Sequence, residues 1–393
     1  MADAVVAWLG ADAATRISRE TAAWGLGEWA DARRAALVHG VAPLLAARLE
    51  GTAAWLALAP ELRAYCAEQL ALNGQRVALM RADLAAILDG AAHAGVELLP
   101  LKGAVLVEHY YPDPALRPMA DLDLLVRPEA VERLHRVMLA LGYRPGEQTP
   151  RHRVYIRGEP RVVSWDGEHP DNPRGVEVHT AVGERLRAIA YDITPALRAG
   201  ASERAFGGAV GLAPAPEALL LHLLIHTCHN IVNRRLRAVQ LYDLALVAPY
   251  LSDAGWEWLV DDALRAGEAR LLYAPLALAE RLFGPLAPPI VRERLARETP
   301  AALRAMLAHT TPSQVSLCDR REASPAFKLA WYRPGAEWLG ALLRVALPAP
   351  AELRQRYPSA AGGLPGAYAR HAGHTAGWAL RAALGRERQR VRE

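Results

Sequence analysis

The sequence predicts an α+β protein, in which a small mixed sheet is flanked by helical regions at its N-terminal and C-terminal sides. Three observations carry this reading. Up to about residue 95, and again from about residue 214, Ala and Leu dominate and apolar residues recur at helical spacing. Between these regions lie short runs of Leu and Val that end at Gly or Pro, the punctuation of strands rather than helices. One of those runs, residues 121–126, alternates acids with apolar residues over its first four positions. The chain has 393 residues, enough for two or three domains, and 52% hydrophobic residues place it among globular chains. A net charge of +4 is small for this length and gives no electrostatic argument for nucleic acid. The expected organisation is a helical region over 1–75, a mixed α/β core over 76–205 and a helical domain over 206–393.

Taken in order, Val41, Leu44, Leu45 and Leu49 share one helical face, as do Val77, Met80, Leu84, Ile87 and Leu88. Asp83 and Asp89 fall off that second stripe and are expected in solvent. Gly95 suits the stop before a strand over Val96–Leu101. A turn at Gly103 opens a short helix carrying Val105, Leu106 and Tyr110, which the prolines at 112 and 114 break. The strand 121–126 follows. Pro128 starts a helix running to Leu141, and Gly142 ends it. Three further strands are expected at 153–157, 161–165 and 175–180, with a loop from Asp166 between the last two. The glycines at 207, 208 and 211 read as a turn. A helix over Glu217–Ile231 bears His222, His226 and His229, and another over Leu236–Val247 bears Tyr242 and Asp243. Prolines at 285–289 and 347–350 divide the remainder, and the arginine-acid alternation of 386–393 reads as a frayed tail.

Cys66, Cys228 and Cys318 lack paired spacing, so no disulfide framework is expected. There is no basic-then-apolar leader, and Arg or His interrupts every apolar run before it reaches spanning length. A cytoplasmic chain without membrane contact is the expectation; the oligomeric state is open. No P-loop, GxSxG or HExxH motif is present.

The chemistry concentrates on the strand 121–126. Alternation puts Asp121 and Asp123 on one face, roughly 7 Å apart at Cα for two strand rises. Like charges held so close disfavour each other's ionisation unless a cation lies between them, and a divalent metal is the simplest solution. Alternation likewise pairs Glu177 with His179, and Glu177 supplies a third carboxylate. Asp166, Glu168 and Asp171 compete for that role from a less rigid loop. Such a trio suits Mg²⁺, two ions of which clamp the attacking and leaving oxygens of a phosphoryl displacement. Gly103 permits close backbone approach to a phosphate, and Lys102 and Arg117 supply positive charge. Of 46 cationic residues only Lys102 and Lys328 are lysine. For Lys102 an ion pair with one of the aspartates is the other reading. His222, His226 and His229 lie at i, i+4 and i+7, a spacing that can ligate zinc, but no Cys or carboxylate is placed to complete such a site. Asp243 reads as the ion-pair partner of a nearby arginine.

The segment LKGAVLVEHYYPDPALRPMADLDLLV resembles the signature of the polymerase-β-like nucleotidyltransferase superfamily. More closely it resembles the bacterial "uncharacterised nucleotidyltransferase" family found beside natural-product and peptide-tailoring genes. HGVAPLLAARLE, GVEVH, HLLIHTCHN…LYDLALV and PAPAELRQRYPS…AYARH fit the same family, so the resemblance spans about residues 35–250 and 348–370. It implies that 76–205 is a nucleotidyltransferase core and that an NTP is the donor substrate. It also implies that Asp121, Asp123 and Glu177 bind two Mg²⁺ ions and act in catalysis. Gly103 would hold the phosphate-loop position beside Lys102 and Arg117. The histidine helix would line the nucleotide cleft, with His226 or His229 and Arg234 or Arg235 near the base or phosphates. The acceptor implied is a hydroxyl or phosphate of a small molecule or peptide. An RNA acceptor, as in toxin-like relatives, and a decayed nucleotide-binding or partner protein are the alternatives. Ala104 departs from the pattern, since typical members of the superfamily place serine there.

Overall fold

Five strands form the central sheet in the order β1-β2-β5-β4-β3: β1 (Leu98–Pro100), β2 (Asp121–Val126), β3 (Arg144–Gln148), β4 (His152–Arg157) and β5 (Arg174–His179). β2 and β5 run parallel; every other neighbouring pair is antiparallel. The structure is a computed structural model that describes residues 1–149, 152–158, 161–186, 189–319, 321, 324–357 and 362–383. This mixed sheet between helical segments is the α+β architecture the sequence predicts.

The expected strand at 96–101 shrinks to three residues for a local reason. The Val96 N–H donates to the Ala91 carbonyl at 2.8 Å, with Gly95 at φ +64°. Residues 95 and 96 therefore close the preceding helix. The expected strand at 161–165 is absent, because the N–H groups of Val163 and Ser164 both donate to the side-chain carbonyl of Asn172 and hold a loop. β3 was not expected: its sequence, RPGEQ, is exposed throughout and has no apolar alternation. Two hairpins complete the strands, β6 (Gly183–Leu186) with β7 (Ile189–Asp192) and β8 (Ser202–Phe206) with β9 (Ala209–Ala213). The second turns at Gly207 and Gly208, both at positive φ, as the glycine cluster indicates.

A 34-residue helix, Pro60–His93, is the main support of the sheet. Its buried face includes Val77, Met80, Leu84, Ile87 and Leu88, as the periodicity predicts, but also Gln69, Asn73, Arg76 and Asp83. Asp83 is thus a correction: it is buried and accepts from Arg157 Nη1 at 2.7 Å and Arg174 Nε at 2.6 Å. Asp89 is exposed, as expected. The helices Pro216–Val232 and Ala238–Val247 match the expected ones closely, and the first is buried along most of its length.

The chain divides into two compact units. The first, Met1–Glu298 with Thr310–Cys318, holds the sheet and every candidate site residue. The second, Thr299–His309 with Asp319–Glu393, contains the helices Ala301–His309, Pro325–Ala330, Ala336–Ala346, Pro350–Arg356 and Gly363–Ala383. The expected frayed tail, 386–393, lies outside the described residues. No described helix is long and apolar enough to cross a membrane.

Candidate active site

The parallel pairing of β2 with β5 builds the site. Its register sets Asp121 opposite Gly175, Asp123 opposite Glu177 and Leu125 opposite His179. Because side chains alternate, Asp121, Asp123, Glu177 and His179 project from one face of the sheet. His179 Nε2 lies 2.9 Å from Asp123 Oδ1 and 3.6 Å from Glu177 Oε2. One ligand atom each from Asp123, Glu177 and His179 all fall within 4.8 Å of one another. The rival loop acids are engaged elsewhere: Asp166 with Arg33, Glu168 with Arg76 at 3.2 Å, and Asp171 near His169.

Lys102 sits between β1 and the helix Gly103–His109 at φ +45°, a conformation that strains a residue with a side chain. From there its Nζ reaches Asp123 Oδ1 at 2.8 Å. The ion-pair reading of Lys102 is therefore the one seen in the structure. Burial alone would lower the ammonium pKa, but Asp123, Asp121 and Glu177 outweigh it and raise it. For Asp123, burial is likewise outweighed, by Lys102 and His179, and its pKa falls well below the usual carboxylate range. Asp121 behaves oppositely. Burial and then the Asp123 charge push its carboxyl up to about 6, and it makes no ion pair with a described residue. A deficit of positive charge at Asp121, beside two further carboxylates and an imidazole, is the donor chemistry that fits a divalent cation.

The histidine helix approaches this cluster. Burial lowers the His222 pKa to about 3, with Lys102 adding to the effect, and it lowers His226 well below the usual imidazole value, with Lys102 and His222 adding. Both imidazoles are held neutral near the Lys102–Asp123 pair. His226 Nε2 is 3.1 Å from Asn230 Nδ2. His229 is half-buried one turn further on.

Arg117 is committed to a different carboxylate. Its Nε and Nη2 donate to the two oxygens of Asp243 at 2.9 and 2.8 Å, and the Tyr111 hydroxyl donates to the same group at 2.8 Å. Gly103 makes room for that arrangement. A Cβ there would stand 2.6 Å from Arg117 Nη1 and 2.8 Å from Met119 Sδ, so the protein's own side chains cover this face of the glycine. Ala104 is buried behind it.

Sequence reasoning missed the residue that holds the two acid-bearing strands in place. Arg76, 2% exposed, donates to the carbonyls of Met119 and Ala120, just before β2, and to those of His169, Asn172 and Pro173, before β5. Removing its five acceptors from water is tolerable because each receives a hydrogen bond. The signal was present: 73, 76, 80, 83 and 87 follow the 3-4 helical repeat, so Arg76 and Asp83 lie on the buried stripe rather than beside it.

Residues 26–284 match the family model described as uncharacterised nucleotidyltransferase. No curated protein matches the sequence. Among solved structures, the chain is similar to the antibiotic-resistance factor ANT(2'')-Ia in its solution structure, at 16% identity and a TM-score of 0.35, over 48% of this chain and 92% of that one. A crystal structure of ANT(2'')-Ia in complex with adenylyl-2''-tobramycin aligns at 15% identity and a TM-score of 0.33, over 48% of this chain and 98% of that one.

Proposed function

The chain belongs to the uncharacterised nucleotidyltransferase family, and from that premise we propose that it transfers a nucleoside monophosphate from an NTP to a hydroxyl or phosphate of a small molecule or peptide, releasing pyrophosphate. The observation that carries this reading is the β2–β5 register, which sets Glu177 beside Asp123, with Asp121 making no ion pair with a described residue. Asp121, Asp123 and Glu177 are the residues we assign to Mg²⁺, two ions in all; Asp123 and Glu177 share their group of close ligand atoms with His179, and Asp121 stands outside that group, two residues before Asp123 on β2. When bound, the metal supplies positive charge to the oxygens on which charge develops during phosphoryl displacement.

The chain's own groups do the rest. Lys102 Nζ fixes Asp123 and lends the site one permanent positive charge. His179 Nε2 hydrogen-bonds Asp123 Oδ1 at 2.9 Å and so orients that carboxylate, with Glu177 Oε2 3.6 Å away. Glu177 is the more exposed of the two, and its Oε2 is the group we assign to accept the proton of an attacking hydroxyl. His226 and His229 lie along the nucleotide in this reading, and a neutral His226 offers hydrogen bonds without competing for the metal's charge. Gly103 remains the proposed phosphate-loop position. Arg117, held on Asp243, acts on the polyphosphate through its field rather than by contact.

The test is to incubate the protein with each of the four NTPs labelled at the α-phosphate, with Mg²⁺, and with separate pools of hydroxylated small molecules, peptides and total tRNA. Label in a small-molecule or peptide product, matched by pyrophosphate and abolished by a chelator, is the expected result. Label on RNA replaces the acceptor class. Absence of pyrophosphate with every pool and every NTP overturns the transfer.

A further inference from the structure

Beside the acid cluster, within the same unit, lies a cavity of about 340 Å³ between the N-terminal helices and the loop 162–173. Ala120 and Pro118 form part of its wall, and Ala120 directly precedes Asp121. Much of the remainder is apolar, from Ala36, Leu37, Pro43 and Val162. At its rim Trp165 is 84% exposed, an unusual place for an indole. The loop carrying Trp165 is pinned: Gln69 Oε1 accepts from the Glu168 N–H at 3.0 Å, and Gly167, at φ +115°, leaves space that a Cβ would deny to Gln69.

Three charged side chains face this cavity, Arg76, Glu168 and Arg237. Arg76 spends its donors on five carbonyls and lies 3.2 Å from Glu168. Arg237 also lies in the field of Glu168, but without an ion pair to it. Its backbone N–H bonds Gln240, but its guanidinium makes no hydrogen bond or ion pair with a described residue. It is packed over Gly40, where a Cβ would stand 2.4 Å from Nη2. Arg237 is partly exposed, so its guanidinium is open to a ligand that enters the cavity, and an anionic ligand supplies a planar acceptor for it. Counting Arg76, Arg237 and Glu168, the cavity carries one net positive charge, which matches a monoanion. A polyphosphate, with several charges to neutralise, fits poorly. Both Arg76 and Arg237 also feel the charge of Asp121, which ties the cavity to the acid cluster.

We propose that this cavity is the acceptor subsite, and that it takes a molecule with a free carboxylate and a flat apolar group, the carboxylate on Arg237 and the flat group against Trp165. The acceptor role rests on the transferase reading; the ligand chemistry rests on the cavity alone. Planar guanidinium–carboxylate pairing gives the orientation, and the indole gives area at little cost in rotamer freedom.

The experiment measures binding of indole-3-acetate, indole-3-acetamide and phenyl phosphate to the full chain by calorimetry and ligand-observed NMR, with and without Mg²⁺ and a non-hydrolysable ATP analogue. Indole-3-acetate should bind about tenfold or more tightly than its amide, the size of a charge-assisted hydrogen bond. Arg237→Gln should erase that preference, Arg237→Lys should keep part of it, and Trp165→Ala, at an exposed position, should weaken acid and amide alike. Equal binding of acid and amide to the wild-type protein overturns the proposal, as does a preference that survives Arg237→Gln. Tighter binding of phenyl phosphate overturns the carboxylate class. Competition between indole-3-acetate and the ATP analogue overturns the acceptor assignment. If the ATP analogue itself fails to bind while the carboxylate preference holds, it is the transferase reading that falls and not the cavity's chemistry.

Discussion

Two groups of acids lie against the same sheet and are neutralised in opposite ways. Asp83 receives two arginines, Arg157 from β4 and Arg174 from β5. Asp121, Asp123 and Glu177 share one lysine, Lys102, and one imidazole, His179. The division runs through β5 itself: alternation sends Arg174 toward Asp83 and sends Glu177 and His179 to the other face. Where cations outnumber acids, the cluster is complete and binds the long helix to the sheet. Where acids outnumber cations, the surplus charge is what the proposed divalent ions would neutralise. Charge balance, more than burial, separates the structural cluster from the candidate active site.

The strongest way to break this contrast is Asp123→Asn. It removes one charge from the under-neutralised side and the acceptor for Lys102 and His179. We expect nucleotidyl transfer to fall by about a thousandfold or more, with the circular dichroism spectrum unchanged. A steady-state pyrophosphate assay reads the first and the spectrum the second. Retained turnover would take Asp123 out of the mechanism and leave the acid trio as another structural cluster.

Asp83→Asn tests the balanced side. The variant leaves Arg157 and Arg174 facing a neutral amide at a buried position. Stability should fall by roughly 3–4 kcal/mol, nearer the lower end because Arg157 is partly open to solvent. Urea unfolding measures this, and transfer per folded molecule should be retained at low temperature. A loss of transfer without loss of stability would reverse the two assignments.

Much of this contrast was legible in the sequence, and what was not has physical causes. Strand alternation, which depends only on side-chain period, was enough to place Asp121 with Asp123 and Glu177 with His179. That β2 lies next to β5, in this register, was not readable from local pattern, because residues 127–173 intervene and β3 carries no apolar signal. The helices around Gly95, Gly142 and Pro216 end or begin close to the expected places, where backbone chemistry is local. Asp83 and Arg76 were misplaced or missed because charged residues were taken to mark the solvent face, whereas both satisfy a buried partner across the chain. Arg117 illustrates the same limit. Its position before Pro118 suggested a loop cation free for phosphate, and only the tertiary structure brings it to Asp243, 126 residues away.

A third buried ionisable group, His39, meets the same constraint in a further way, by carrying no charge. Its Nδ1 accepts the Ala238 N–H at 3.2 Å, and its Nε2 faces Ser313 Oγ at 3.5 Å and Cys318 Sγ at 3.6 Å. Burial lowers its pKa from 6.5 to about 4, since protonation would strand a charge and cost Nδ1 its acceptor role. As pH falls below 6.5, the unfolded chain takes up a proton that the native state refuses until about pH 4. Native stability therefore drops through that window, by about 3 kcal/mol in total, and this contribution flattens below it. His39→Gln keeps an acceptor for the Ala238 N–H and removes the titration. The stability difference between wild type and variant, measured by urea unfolding at pH 7, 5.5 and 4, should shift against the wild type by that amount. A difference that stays level across the three pH values would mean that His39 titrates alike in both states, and that neutrality is not how this site tolerates burial.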